Sequence, residues 1–86
     1  MPTISQFFGI VIRMFFDDHA PPHFHVEYNE FKAVIRLEPL ALTEGRLPPR
    51  ALGLVMEWAQ QHQAELLEDW SLCAAKQSPK KIAPLE

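Results

Sequence analysis

His23-Phe24-His25-Val26-Glu27-Tyr28-Asn29-Glu30-Phe31-Lys32-Ala33-Val34-Ile35-Arg36 alternates polar and apolar side chains on both sides of one short break. A period of two over six or more residues is the signature of a half-buried strand. Asn29-Glu30 fits a two-residue hairpin turn, and that turn sets the register. Tyr28 then faces Phe31, Val26 faces Ala33 and Phe24 faces Ile35, which makes one apolar face. Glu27 facing Lys32, His25 facing Val34 and His23 facing Arg36 make the other, polar face. A slip of one residue would exchange the two faces, and the clean alternation selects this register.

Working outward toward the N-terminus, the loop Asp17-Asp18-His19-Ala20-Pro21-Pro22 cannot extend the strand, because proline has no amide donor for a ladder. Before it, FFGIVIRMFF at 7–16 reads as one central strand. Phe8, Ile10, Ile12, Met14 and Phe16 share one side, and Phe7, Gly9, Val11, Arg13 and Phe15 share the other. Arg13 is its single charge, placed on the less buried face or against a carboxylate.

Toward the C-terminus, Pro39 ends the strand over 31–38. Residues 40–47 read as a short fourth strand or a turn around Glu44-Gly45. Pro48-Pro49 opens a helix over 49–76, since proline suits the first helical turn. Ala51, Val55, Trp58, His62, Leu66, Trp70 and Cys73 recur at spacings of three and four and form its apolar stripe. Glu68 and Asp69 fall on the outer face. Ser78-Pro79 closes the helix, and the tail 79–86 carries Ile82 and Leu85 as anchors. The fold expected is therefore α+β: one domain over 1–86, with a three- to four-stranded, mainly antiparallel sheet packed by one long C-terminal helix.

Composition bounds the function. The chain has 86 residues, 48% of them hydrophobic, which suits one small core. A net charge of −3 does not favour a nucleic-acid partner, although local arginines remain available. A single cysteine, Cys73, allows no internal disulfide and fits a reducing, cytoplasmic setting. No apolar run approaches the length of a membrane span. Cys73 lies on the buried stripe, with no basic neighbour before Lys76, and is not read as a nucleophile.

Chemistry concentrates at His19, His23 and His25. Three readings stand side by side. As a metal site for zinc, iron or manganese, His23 and His25 project from one side of a strand. His19 comes round the proline turn, and Asp17 or its neighbour Asp18 supplies a carboxylate. Asp17 completes the set His19, His23, His25 and Asp17. As a metal-free site, His23 and His25 act as acid and base on a phosphodiester, with Arg36 taking the developing charge. The third reading is structural, the rings capping carbonyls at a half-polar sheet position. His62, on the helix stripe, reads as a core histidine with one hydrogen bond.

Across nearly its whole length the chain resembles the small prokaryotic family of unknown function numbered 4160. The segments that carry this are MPTIS at 1–5, FFGIVIRMFF at 7–16, DDHAPPHFHVEY at 17–28, GRLPPRAL at 45–52, EWAQQHQAELLEDW at 57–70 and KKIAPL at 80–85. The resemblance implies a small co-encoded partner protein, in arrangements similar to toxin–antitoxin pairs, and a toxin-like or nuclease-like role. It brings His19, Pro21, Pro22, His23, Phe24 and His25 to the foreground and implies no particular cofactor.

Overall fold

A computed structural model describes residues 2–86. Five strands run as an antiparallel meander, each paired with the next: β1 (Thr3–Phe7), β2 (Ile10–Arg13), β3 (His23–Tyr28), β4 (Phe31–Leu37) and β5 (Leu40–Gly45). Two helices follow, α1 (Pro49–Gln61) and α2 (Gln63–Ala74). The architecture is α+β, with more strands and more helices than expected.

The central hairpin has the register that the alternation predicts, from Tyr28 opposite Phe31 to His23 opposite Arg36. Phe24, Val26, Ala33, Ile35 and Leu37 are buried on one face. β2 pairs with β3 so that Ile12 lies beside Val26 and Arg13 beside His25. On the polar face Arg13 Nη1 donates to Glu27 Oε2 at 2.7 Å.

The expected strand over 7–16 is two strands. Phe8 and Gly9 adopt positive φ (51° and 79°), and the chain reverses between Phe7 and Ile10. Such a primed turn matches the twist of a two-residue hairpin, and glycine at its second position makes it accessible. The reversal breaks the expected side assignment: Phe7 is buried and Phe8 is 60% exposed. From Ile10 through Met14 the assignment holds, with Ile10, Ile12 and Met14 in the core. At the other edge, residues 40–45 form a true strand, β5, which Gly45 ends at φ 73°.

The expected single helix over 49–76 is broken at His62, whose φ and ψ of −121° and 23° leave the helical region. Hydrogen bonding nevertheless runs across the break, with His62 N–H donating to Trp58 O and Leu66 N–H to His62 O. A straight helix over 49–76 would be about 42 Å long. The longest extent of the domain is 33 Å, so such a helix would overshoot the sheet. The bend keeps both halves on it. Ala51, Val55, Trp58, Leu66 and Cys73 of the predicted stripe are buried.

Asp69 corrects the expectation of an outward position: it is 1% exposed. Its Oδ1 accepts the Lys80 N–H at 2.8 Å, while Oδ2 is buried without a partner. Beyond it the tail folds back. Ile82 N–H donates to Ile4 O, Trp58 Nε1–H donates to Ala83 O, and Ile82 and Leu85 are buried. Sheet, helices and tail thus share one apolar core, and the opposite face of the sheet carries the polar side chains. Among the described residues no helix is long and apolar enough to cross a membrane.

Candidate functional site

The loop between β2 and β3 is tied down at both ends. Lys76 Nζ donates to Phe16 O and pairs with Asp17, which joins the start of the loop to the end of α2. At the far end Leu37 N–H donates to Pro22 O at 2.9 Å, which extends the alignment of β4 to the residue before β3. Between these anchors the loop lays Asp18 over the first residues of β3.

His23 and His25 stand on the polar face, because residues two apart on a strand share a side. His25 Nε2–H donates to Asp18 Oδ2 at 2.9 Å, and His23 Nε2 lies 3.4 Å from the same oxygen. His23 Nδ1 is 2.8 Å from the Pro21 carbonyl. A carbonyl only accepts, so Nδ1 carries the hydrogen there. Aromatic rings frame the pair: Phe15 lies 4.4 Å from His25 and Trp70 lies 5.1 Å from His23, centroid to centroid. The three side chains are mostly shielded, at 16%, 27% and 18% exposure for His23, His25 and Asp18.

They open into a cleft of about 480 Å³, lined also by His19, Pro21, Arg36, Thr43 and Glu44. Arg36 lies directly across from His23. Its Nε–H donates to the Pro39 carbonyl at 3.1 Å. Among the described residues no carboxylate pairs with its guanidinium. The cleft therefore holds a half-buried cation beside the imidazoles of His19, His23 and His25 and the carboxylates of Asp18 and Glu44.

Of the residues singled out in the sequence, His23, His25 and Arg36 come together. His19 lines the same cleft but stands outside the set of converging donor atoms, which is Asp18, His23 and His25. Asp17 is elsewhere: its side chain is solvent-exposed, and the Lys76 ammonium holds its carboxyl below the usual carboxylate range. The choice between two adjacent aspartates rests on a lysine 59 residues away, which no local pattern announces. Trp70 and Phe15 were likewise not assigned to the site, because their part in it appears only once helix and loop converge on β3.

His62 stays apart from this group, with Nδ1–H donating to Glu65 Oε1 at 2.6 Å and its ring packed against Trp58. Burial pushes the Cys73 thiol up, with Asp69 and Asp18 adding to the effect, which suits a core residue and not a nucleophile.

The family model described as a domain of unknown function, DUF4160, matches residues 9–71. No curated protein and no solved structure matches the chain.

Proposed function

The chain belongs to the DUF4160 family, and from that premise we propose that it cleaves the phosphodiester backbone of single-stranded RNA in the cleft above β3. The observation that supports this is the unpaired Arg36 guanidinium across from His23, in the same cleft as the Asp18–His25 pair. Arginine is the side chain best suited to two oxygens of a phosphate. Phe15 and Trp70, packed on His25 and His23, offer rings beside the cleft, and bases stack on such rings with little regard to sequence.

In the reaction, a water oxygen adds to phosphorus and loses a proton. The ester P–O bond breaks, and the departing oxygen takes a proton up. Arg36 stabilises the charge that grows on the phosphoryl oxygens. With a net charge of −3 on the protein, substrate affinity is modest and falls with salt. The test is cleavage of a labelled single-stranded RNA by untagged protein. Arg36→Ala and His25→Ala should each slow it by about 100-fold or more, with circular dichroism unchanged. Equal rates in wild type and both variants would sink the assignment.

A second reading is favoured by the opposite end of the molecule. Phe8 projects from the β1–β2 turn beside a groove of about 200 Å³ formed with Tyr28, Pro48, Ala51 and Leu54. An exposed aromatic beside an apolar groove is a docking feature. On this reading the chain is the partner-binding component of a toxin–antitoxin-like module, and the co-encoded protein covers this end. Co-purification of the pair, lost in Phe8→Ser, tests it.

A further inference from the structure

We infer that Asp18, His23 and His25 bind one divalent transition-metal ion, and that this ion is the working cofactor of the cleft. The second clause rests on the cleavage reading above; the first does not.

Three observations lead there. Each of the three residues offers one donor atom, and these atoms lie within 4.8 Å of one another. Two of the separations are 2.9 Å (His25 Nε2 to Asp18 Oδ2) and 3.4 Å (His23 Nε2 to Asp18 Oδ2). Ligands about 2.1 Å from one ion sit about 3.0–3.4 Å apart in octahedral or tetrahedral arrangements, which these two separations already approach. His23 supplies the second observation. Its Nδ1–H is committed to the Pro21 carbonyl, so in the neutral ring Nε2 has a lone pair and no hydrogen. Nε2 lies 3.4 Å from a carboxylate oxygen, a repulsive pairing that a cation between them turns into an attractive one. A backbone carbonyl on the far nitrogen is also the usual way a ligating histidine is oriented.

The third observation is the placement of the two rings. An acid–base pair working on a phosphate needs its reactive nitrogens on either side of that group. Here both Nε2 atoms lie close to a single carboxylate oxygen, at 2.9 and 3.4 Å, and do not flank a space between them. As ligands, His23 and His25 hold the ion and do not shuttle protons. Two nitrogens and one oxygen suit a first-row transition ion over magnesium or calcium. Three protein ligands would leave positions for water and substrate.

The test uses untagged, chelator-stripped protein titrated with Zn²⁺ alone by isothermal calorimetry. Trp70 fluorescence gives a second signal, since its ring packs on His23. One equivalent should bind, and Asp18→Asn and His23→Gln should each weaken it by about tenfold or more. Glu57→Gln, exposed on α1 and outside the cleft, should bind zinc as wild type does. The assignment is overturned by no saturable binding, by affinity unchanged in His23→Gln and His25→Gln proteins of native circular dichroism, or by magnesium binding as tightly as zinc. The two proposals separate cleanly. Zinc binding without RNA cleavage keeps the metal site and removes the cleavage reading, whereas EDTA-resistant cleavage by protein that binds no zinc removes the metal and keeps the cleavage.

Discussion

The two faces of the sheet are made by the same strands and do opposite work. On the covered face Phe24, Ile35 and Ile12 are fully buried beneath Trp58 and the helices. On the open face, one residue along, stand His23, His25 and Arg36, with Arg13 and Glu27 beside them. Burial on one side provides the folding free energy. That stability lets the other side keep imidazoles and an unpaired arginine that contribute little to it. The domain thus separates stability from chemistry by parity along the strand.

The sharpest way to break this contrast is to truncate the covered face. Phe24→Ala should cost about 3–5 kcal/mol, the range for a buried Phe that leaves a cavity, read by urea denaturation. In a domain this small such a loss should leave a large unfolded fraction. If Phe24→Ala and His25→Ala cost the same, the division between the faces fails.

Gly45→Ala follows in size. Gly45 has φ 73°, and a Cβ there would run into the Lys32 carbonyl oxygen of the neighbouring strand. The expected loss is about 1–3 kcal/mol, seen as a lower Tm, with the edge strand β5 and its Thr43 and Glu44 displaced from the cleft. Arg13→Ala should cost no more than about 1 kcal/mol, because its pair with Glu27 is partly solvated. His25→Ala should shift stability by about 0.5 kcal/mol or less while removing function.

A pH series sharpens the comparison from the covered side. Burial raises the Asp69 carboxyl above its ordinary 3.8; Glu68 and Glu65 add to the rise, while the Lys80 N–H and ammonium oppose it. A group whose folded pKa is raised binds more protons in the native state than in the unfolded one. Stability therefore falls as pH rises from 3.8 through the raised value, and the loss persists above it. Asp69→Asn should lack that part of the profile. An identical pH dependence of denaturation midpoints in the two proteins would remove Asp69 as its source.

Much of the scaffold was legible in the residues. The 23–36 hairpin, its register and its two faces follow from alternation and one turn, and the helix stripe from Ala51 to Cys73 follows from spacing. Three elements were misread. The Phe8-Gly9 turn hid inside a continuous apolar run, because a primed turn with phenylalanine at its first position lacks the usual polar signal. The bend at His62 has no proline or glycine to mark it. A charge on a helix is usually solvated, which reads Asp69 as outward, and what caps it is the tail residue Lys80, eleven positions on. At the site His23, His25 and Arg36 were readable, since strand parity places them. The carboxylate was not.

Within the 23–36 hairpin the sequence alone determined which side chains share a face, because strand geometry makes parity a local property. Only the tertiary structure decided that Asp18, and not Asp17, meets the histidines, and that Trp70 lies against His23. Those outcomes depend on Lys76 at the end of α2 reaching back to the loop. A contact made across 59 residues leaves no trace in the pattern around either partner.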